Sequence, residues 1–458
     1  MVSSFRDPGG RLTVDKDGVF RQVFAGGLAN WHAFTRSATV ERHRLAGQIV
    51  GTRVISATGT ETILEHERIP FASYPHEWPP EMLHAAAALT LLMAEGLISE
   101  GLGLKDATPH NVLFRGTNPV FVDVLSVEPR ASGDPIWLAS AQFMRTFVLP
   151  LVMRRELGIP LSQVFLSRRD GIEAEHVRRA LPWYKRWLPP FLGLVTVPRL
   201  LSGFAKGAAY GPARQMDDEM ARFILASYFR RLRKLLKQLE PSASVSQWSA
   251  YASSCPSYSE PQRQTKHAFV YDALHTMSAG SVLDVGANDG EYSLLAASLG
   301  ASVVAIDSDP AVCGRLFVEA RAQGANVLPL VVDFARPSPA VGWRCAEQEA
   351  FLDRAEKAFD AVLMLAVLHH LLVTEQVPLD QILTVASQLT RRWLLIEYVE
   401  PGDAMFRKLA RGRDAMYGWL TREAFLEQAA EHFDIVDWCD VPGAGRSLYL
   451  MQLRRPLG

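Results

Sequence analysis

The sequence has little cysteine and almost no net charge. Its four cysteines, Cys255, Cys313, Cys345 and Cys439, lie far apart among 458 residues and form no C-x-x-C pair. Neither a disulfide framework nor a cysteine-based zinc site is therefore indicated. Lysine and arginine number 48 against 49 acidic residues, so the overall charge predicts no nucleic-acid partner. Scattered single cysteines are typical of a reducing compartment, and we expect a cytoplasmic protein.

Long hydrophobic runs are also missing from the sequence. The opening residues, MVSSFRDPGG, contain no apolar h-region, so no signal peptide is predicted. The run that comes closest to a membrane span, Phe191–Val197, stops at Pro198 and Arg199 and is too short to cross a bilayer. We therefore expect a soluble protein, and the length suggests two or three domains.

The most informative stretch is Ser281–Pro310, which reads SVLDVGANDGEYSLLAASLGASVVAIDSDP. Its pattern predicts a buried strand over Ser281–Val285, a turn bounded by glycines, a helix over Glu291–Leu299, and a second buried strand over Ser302–Ile306 that ends on Asp307. Glycines let a ligand approach the backbone, and the helix N-terminus offers free N–H groups. An acid at the end of the second strand can accept hydrogen bonds from ribose hydroxyls. The stretch therefore predicts a nucleoside-binding βαβ unit.

The spacing of the turn separates this unit from dinucleotide-binding folds. Gly286 and Gly290 form the pattern Gly-x-x-x-Gly, whereas the dinucleotide fingerprint is G-x-G-x-x-G. Asp289 lies within the turn and Glu291 follows it, and these carboxylates would repel a pyrophosphate. The turn therefore favours a cofactor that has a ribose and no phosphate, and S-adenosyl-L-methionine fits this description.

The pattern Asp284-x-Gly286-x-Asn288-x-Gly290, followed by an acidic strand end, resembles the first two motifs of class I S-adenosylmethionine-dependent methyltransferases. By this resemblance, the acid before the first glycine would help to orient the methionine ammonium group. The glycine turn would pass the amino-acid part of the cofactor, and Asp307 would hold the ribose.

A third strand, predicted over Val327–Val332, leads into another acid. The resemblance implies that this acid, Asp333, contacts the adenine amino group. The complete set of predicted cofactor-binding residues is Asp284, Gly286, Ala287, Asn288, Gly290, Asp307, Ser308, Asp333 and Phe334.

The remaining pattern predicts how the sheet is completed. A buried strand begins at Phe359, a fifth strand covers Trp393–Tyr398, and Phe433–Val441 with Leu448–Leu453 form an antiparallel pair. We therefore expect an α/β fold for residues 265–458, with the seven-stranded, Rossmann-like sheet of class I methyltransferases.

Two histidines follow the fourth strand and are the candidate catalytic residues. Ligands of open α/β sheets bind at the carboxyl ends of the strands, so His369 and His370 are predicted to face the same crevice as the glycine turn. A neutral imidazole there could take a proton from an acceptor hydroxyl or amine as the methyl group arrives. The alternatives are a histidine that caps the next helix or packs against the pocket wall, and methyl transfer by positioning alone.

The N-terminal half carries a second resemblance. In LKDATPHNVLF, Asp106 and Asn111 are five residues apart, and Asp123 ends an apolar strand twelve residues after Asn111. This order resembles the catalytic loop and metal-binding strand of protein-kinase-like phosphotransferases. It implies that Asp106 is the base and that Asn111 and Asp123 bind magnesium. No His-Arg pair precedes Asp106 and no glycine follows Asp123, so we favour a structural or substrate-recognition α+β domain over residues 1–240.

The end of this half is helical in character and basic. Between Val152 and Glu240 the chain has 17 Lys/Arg against 8 Asp/Glu, which indicates either solvated helix faces or contact with an anionic surface. The following residues, 241–264, are rich in Ser, Pro and Gln and predict a linker.

Four segments of the sequence together resemble bacterial methyltransferases related to the host-range nodulation proteins of the NoeA type. These segments are FRDPGG, LKDATPHNVLF, VGANDGEYS and LAVLHHLL. We expect methyl transfer from S-adenosyl-L-methionine to oxygen or nitrogen of a small-molecule, glycan or lipid-intermediate acceptor. One alternative is a bifunctional protein whose N-terminal domain binds ATP and magnesium or phosphorylates. The other is a non-catalytic nucleoside-binding protein.

Overall fold

The computed structural model describes residues 2–4, 6–197, 216–241 and 258–454. Most of the predicted linker, residues 242–257, lies outside the described residues. The chain divides into two compact units. The N-terminal unit comprises Met1–Ser242 with Ala340–Glu349, and the C-terminal unit comprises Ala243–Pro339 with Ala350–Gly458.

The N-terminal unit contains a five-stranded antiparallel sheet and two small two-stranded ladders. Its strands are β1 (Val2–Ser4), β2 (Gly10–Val14), β3 (Val19–Phe24), β4 (Thr52–Ala57), β5 (Glu61–His66), β6 (Leu102–Leu104), β7 (Val112–Arg115), β8 (Asn118–Phe121) and β9 (Val127–Pro129). The order in the main sheet is β1-β2-β3-β5-β4. β6 pairs with β9, and β7 pairs with β8.

Eight α-helices accompany these strands in the described part of the unit, and the first three of them lie between strands in the chain. They are α1 (Leu28–Arg36), α2 (Ala38–Leu45), α3 (Pro80–Ser99), α4 (Ser140–Phe143), α5 (Leu149–Leu157), α6 (Leu161–Ser167), α7 (Ala174–Ala180) and α8 (Asp218–Gln238). The sequence predicts one helix over Thr35–Gly47, whereas the structure has two helices that meet at Ser37. Ser37 is extended, and its hydroxyl accepts a hydrogen bond from the Val40 N–H, so it caps α2 and separates it from α1.

Helix α3 forms the core of the N-terminal unit. By length and composition alone this helix could cross a membrane, so the expectation that no apolar run is long enough was wrong. It is the one helix in the described ranges that passes this test, and 61% of its apolar window is buried inside the fold. Leu83, Met93 and Leu97 are fully buried. The packing around α3 accounts for its composition as that of a core helix.

The C-terminal unit is built on a mixed sheet of seven strands. These are β10 (Ser281–Val285), β11 (Ser302–Asp307), β12 (Val327–Val331), β13 (Phe359–Met364), β14 (Thr390–Val399), β15 (Phe433–Val441) and β16 (Arg446–Leu453). The order is β12-β11-β10-β13-β14-β16-β15. The first five strands in that order pair in parallel, and β16 pairs antiparallel with β14 and with β15. The predicted α/β fold of this half is confirmed.

The helices of the C-terminal unit pack on this sheet. They are α9 (Glu260–Met277), α10 (Glu291–Ser298), α11 (Pro310–Gln323), α12 (Phe351–Ala355), α13 (Leu379–Leu389), α14 (Ala404–Ala410) and α15 (Arg422–Ala429). Helix α9 begins inside the segment 241–264 that the sequence predicts as a linker. Its start is fixed by a capping box, in which the Ser259 N–H donates to the Gln262 side chain at 2.8 Å, and by a proline in the first turn.

The connection after β12 also differs from expectation. The sequence predicts that the chain after the linker forms one domain, but Ala340–Glu349 groups with the N-terminal unit. There the Glu347 carboxylate pairs with Arg6 at 2.5 Å, and the Gln348 amide lies 3.0 Å from the His110 ring. These partners are more than 200 positions away in the chain, so local composition could not reveal them.

Candidate cofactor and acceptor site

The glycine turn between β10 and α10 is held against the neighbouring strand by its backbone. The N–H groups of Gly286 and Ala287 both donate to the Ile306 carbonyl, at 2.9 and 3.0 Å. Gly290 has φ of 84°, in the left-handed region, and a Cβ there would overlap the Leu316 side chain. Glycine is therefore required at this position both by backbone conformation and by close packing of Leu316, which lies on α11.

Asp307 lies directly beside this turn, as the sequence predicts. One carboxylate oxygen accepts a hydrogen bond from the Asn288 N–H at 3.0 Å, and the other accepts from the Asp309 N–H at 2.9 Å. The carboxylate is half-buried, and burial raises its pKa above the ordinary value. Two oxygens with two backbone donors retain acceptor capacity, which is what recognition of a ribose diol needs.

Asp284 is the more deeply buried acid and is 3% exposed. The Ser293 hydroxyl donates to its carboxylate at 2.6 Å. Burial raises the pKa of Asp284 to about 6, and the negative charge of Asp307 adds to the shift. Within the described part of the chain, no basic side chain forms an ion pair with Asp284.

The two acids therefore create an excess of negative charge beside the glycine turn. A buried carboxylate without a cationic partner is costly to ionise, and a bound cation would lower that cost. S-adenosylmethionine carries both a sulfonium and an ammonium group, so the charge of the crevice fits it. Asp284 would hold the amino-acid end, and Asp307 would hold the ribose.

Asp333, the residue predicted to contact the adenine, already bonds to other protein groups. Asp333 follows β12, accepts a hydrogen bond from the Ala335 N–H at 3.0 Å, and forms an ion pair with Arg336 at 2.9 Å. Phe334 is half-buried, and Ser308 is exposed after Asp307. The structure thus places these residues at the ends of β12 and β11, and their contact with the cofactor stays a prediction.

The two candidate catalytic histidines lie at the end of β13. His369 is 2% exposed, and its ring centroid lies 4.4 Å from that of His370. Its Nδ1 atom is buried without a hydrogen-bond partner. A Cβ placed on Gly286 would approach the Val367 side chain to 3.2 Å, so the loop that carries His369 lies against the glycine turn.

Burial lowers the pKa of His369 to about 3, with smaller contributions from His370 and Arg446. The imidazole is therefore neutral over the physiological range. A neutral, buried ring with a free nitrogen can accept a hydrogen bond from a substrate, although its low basicity limits which protons it can take.

Next to these histidines is a buried ionic cluster that the sequence did not reveal. The Glu397 carboxylate accepts hydrogen bonds from Lys266 at 2.6 Å, from Arg446 at 3.1 Å, and from the Tyr258 hydroxyl. Arg446 also donates to both carboxylate oxygens of Asp403, at 3.0 and 3.2 Å. We call these five residues the ionic cluster.

The ionic cluster is electrically balanced and almost dry. Lys266, Glu397 and Arg446 are all less than 7% exposed. Burial alone would raise the pKa of Glu397, but the two adjacent cations lower it to about 2. Burial also opposes the charge of Arg446, yet the hydrogen bonds with Asp403 raise its pKa. Paired in this way, the charges can stay buried.

One signal in the sequence points to this cluster. Glu397 is the single charged residue in the buried run WLLIEYV at the end of β14, and an isolated acid in a buried strand requires a partner. The partners of Glu397 lie on α9, just before α9 and on β16, more than 130 residues away in the case of Lys266. Their pairing could not be read from spacing.

In the N-terminal unit, each of the three residues predicted for the magnesium site bonds to another protein group. Asp123 forms an ion pair with Arg21 at 3.0 Å, and Asp106 accepts a hydrogen bond from the Gln142 amide at 3.2 Å. The Asn111 amide donates to the Asp106 carbonyl at 3.5 Å. Among the residues that the structure describes, no group of three or more His, Cys, Asp or Glu side chains is placed to hold a metal ion. Magnesium binding by Asn111 and Asp123 stays a prediction.

Comparison with known proteins identifies the chemistry of the C-terminal unit. Residues 283–391 match the family model described as a methyltransferase domain. Over 465 aligned residues the chain is 27% identical to the nodulation protein NoeA of Rhizobium meliloti (strain 1021), covering 99% of this chain and 96% of that protein. The C-terminal unit therefore contains a methyltransferase domain, its cofactor is S-adenosyl-L-methionine, and both predictions are confirmed.

Solved structures with partial similarity include two enzymes whose names describe methyltransferases. The N-methyltransferase NodS from Bradyrhizobium japonicum WM9 is 15% identical with a TM-score of 0.33, covering 43% of this chain and 98% of that chain. The bifunctional kinase-methyltransferase WbdD is 19% identical with a TM-score of 0.32, covering 43% of this chain and 40% of that chain.

Removing the central acid of the ionic cluster should destabilise the C-terminal unit. In Glu397→Gln the buried cations Lys266 and Arg446 lose their shared counter-charge, and we expect a loss of about 3–5 kcal/mol in the free energy of unfolding. The measurement is urea denaturation of the full chain, following the transition that S-adenosylmethionine shifts. As control, Asp434→Asn breaks an exposed pair with Arg454 and should leave the transition unchanged. Equal stability of the two variants would contradict the importance of the cluster.

Cofactor affinity should depend on the ionisation of Asp284. Its pKa in the free protein is raised to about 6 by burial, whereas a bound cation favours the charged form, so binding below that pH must release a proton. We expect the affinity for S-adenosylmethionine, measured by calorimetry, to weaken by up to about tenfold per pH unit below that value.

The matched variants separate this effect from other titrations. Asp284→Asn should bind weakly and lack this pH-dependent component, whereas Asp289→Asn, which changes an exposed acid of the same turn, should keep the profile of the unaltered protein. The same pH profile in Asp284→Asn as in the unaltered protein would show that Asp284 does not hold the cofactor.

Proposed function

We propose that this protein methylates a hydroxyl oxygen of a small-molecule, glycan or lipid-intermediate acceptor, with His369 as the residue that receives the acceptor proton. The observation that carries the proposal is the buried and unpartnered Nδ1 of His369, on a loop that lies against the glycine turn. An unpaired polar atom in a buried position is unfavourable unless a ligand completes it. A substrate hydroxyl would do so.

The low basicity of His369 favours oxygen over amine nitrogen as the acceptor. With a pKa of about 3, the imidazole cannot deprotonate an ammonium group. When the acceptor oxygen has begun to bond to the methyl carbon, however, its O–H becomes a far stronger acid than an imidazolium. Nδ1 can then take the proton, and the product leaves as a neutral ether.

The cofactor supplies an electrophilic methyl group on a sulfonium, which is already a good leaving group. The chain therefore has to position the acceptor and exclude water. The ionic cluster supports both tasks because it fixes the ends of β14 and β16 beside His369 through charged hydrogen bonds. Arg446, Glu397 and Asp403 all act on the pKa of His369 through their charges, which shows that the cluster adjoins the histidine.

The test is methyl transfer from isotope-labelled S-adenosylmethionine into the small molecules and lipids of a bacterial extract, with mass analysis of the product. In His369→Asn we expect the turnover rate to fall by about 100-fold or more, while the calorimetric affinity for S-adenosylmethionine stays unchanged. At saturating S-adenosylmethionine the turnover rate of the unaltered protein should be independent of pH between about 5 and 8, because the imidazole remains neutral there.

His432→Asn is the matched control. His432 belongs to the same unit and bonds to the Thr384 hydroxyl at 3.2 Å, and its replacement should not change turnover. At saturating S-adenosylmethionine, a turnover rate that falls with a single proton near neutral pH would overturn the assignment of His369. A product methylated on an amine would also overturn it.

A second candidate function concerns the N-terminal unit. Arg21 lies on β3 and is 9% exposed; one of its nitrogens pairs with Asp123, and its Nε is buried without a hydrogen bond. A strand-borne cation beside the acid Asp123, with Asp106 and Asn111 on a nearby loop, fits a kinase-like nucleotide site. Arg21 could face a phosphate, and Asp123 could bind its magnesium ion.

This candidate predicts calorimetric binding of ATP with Mg²⁺ to the full chain. Binding should vanish in Asp123→Ala, because the metal ligand and the partner of Arg21 are lost together. It should persist in Asp17→Ala, which removes an exposed acid of the β2–β3 turn. If the unaltered protein takes up no ATP, the N-terminal unit is a structural or acceptor-recognition domain.

A further inference from the structure

An exposed aromatic surface occurs in the N-terminal unit, between α7 and the end of the described segment at residue 197. Trp183 is 74% exposed, Trp187 55%, Leu188 52% and Tyr184 51%. We call these four residues the aromatic patch. Large apolar side chains that protrude together are unusual on a protein surface and mark a contact site.

The backbone beneath the aromatic patch is firmly held. Leu181 and Val195 are buried to 1% and 0% exposure on either side of it. The Arg186 guanidinium donates to the Leu181 carbonyl at 3.0 Å, and the Thr196 hydroxyl donates to the Arg186 carbonyl at 2.7 Å. The segment is thus anchored by its own core contacts while its indole rings point outward, so their exposure is a property of a folded loop.

The sequence that contains the aromatic patch has basic residues and no acidic ones. From His176 to Met216 the sequence contains no Asp or Glu. The basic residues of this stretch are Arg178, Arg179, Lys185, Arg186, Arg199, Lys206 and Arg214. Two nearby acids do pair with its cations, because Lys185 bonds to Glu156 at 2.7 Å and Arg179 bonds to Glu175 at 3.0 Å. The sequence from His176 to Met216 remains basic on balance.

We propose that the aromatic patch docks on the surface of an anionic lipid bilayer. Tryptophan and tyrosine favour the membrane–water boundary, where the ring is buried and its polar edge stays wet. Basic residues are attracted to anionic headgroups, at about 1 kcal/mol for each Lys or Arg near the surface. An apolar group of indoles and leucine within an acid-free basic stretch combines the two interactions that anchor a peripheral protein.

Two other occupants fit the patch less well. A nucleic acid would need free guanidinium groups beside the rings, but Arg186 is committed to main-chain carbonyls of Leu181 and Arg179. A second copy of the chain would need about 800 Å² on each partner, whereas four such side chains offer roughly 400 Å². The lipid surface is therefore the occupant that the composition and the contacts favour.

The experiment is co-sedimentation of the full chain with vesicles of phosphatidylcholine, with and without about 30% phosphatidylglycerol. No cofactor or acceptor is added, so the outcome does not depend on the proposed methylation. We expect binding to the anionic vesicles to be at least tenfold stronger, roughly the effect of two basic residues. Binding should fall when the salt is raised to about 1 M, where charges are screened beyond about 3 Å.

The variant Trp183→Ser/Trp187→Ser should weaken binding to anionic vesicles by about tenfold or more, because two exposed indoles no longer enter the interface. Trp343→Ser, which removes another tryptophan at 64% exposure in the same unit, is the matched control and should bind normally. Quenching of the unaltered protein's tryptophan fluorescence by brominated lipid gives a second readout that does not depend on a variant.

Several results would overturn the proposal. Equal binding to neutral and anionic vesicles, absence of quenching, or equal loss in the Trp343→Ser control would each refute docking through this patch. Binding of an oligonucleotide that the double variant abolishes would reassign the patch to nucleic acid. A dimer in sedimentation equilibrium that the double variant converts to monomer would reassign it to self-association.

Discussion

The hydrogen bond from the Asn288 N–H to the Asp307 carboxylate joins the glycine turn to the neighbouring strand, and the cofactor crevice depends on it. Together with the two bonds to the Ile306 carbonyl, it fixes the turn after β10 against the end of β11. If Asp307 were displaced, the turn would lose a charged acceptor, and the two carboxylates would no longer face the same ligand. Both predicted motifs are thus held together by backbone hydrogen bonds between the turn and the end of β11.

The two buried carboxylates Glu397 and Asp284 differ in how their negative charge is stabilised. The ionic cluster satisfies its acids internally, and the pKa of Glu397 is lowered to about 2 by its cations once the opposing effect of burial is overcome. Asp284 forms no ion pair among the residues that the structure describes, and burial raises its pKa to about 6. A fold can afford one uncompensated acid when a cationic ligand completes it. The contrast between these two acids agrees with the prediction that Asp284 holds the cofactor, whereas Glu397 is held by protein groups.

Much of the fold followed from the sequence because its signals were local. Buried strands such as Ser302–Asp307 are short apolar runs bounded by turns, and the glycine turn has a spacing with few physical alternatives. The start of α9 was misplaced because its capping residues, Ser259 and Gln262, lie in a polar stretch that resembles a linker. Helix α3 was overlooked as a membrane-like segment because scattered polar residues interrupt its apolar positions.

The site was predictable only where one strand or turn carries it. Asp284, Asn288 and Asp307 lie on consecutive elements, so their meeting is a consequence of parallel pairing. The partners of Glu397 come from elements far apart in the chain, and only tertiary structure can show that two cations share one acid. Polar side chains that pair across a long stretch of sequence show no regular spacing. Buried hydrophobic residues, in contrast, recur with the period of a helix or a strand.

The chemistry assigned to His369 follows from the different tasks of the cofactor and the protein. The cofactor brings its own reactivity, so the protein has no need of a strong base, and a strong base beside a sulfonium would risk side reactions. A buried imidazole of low basicity is inert until the acceptor oxygen has become acidic, and it then has a proton to receive. The charges of the ionic cluster act on it in both directions, since Arg446 lowers the pKa of His369 whereas Glu397 and Asp403 raise it. The cluster therefore shapes the reactivity of the crevice as well as its walls.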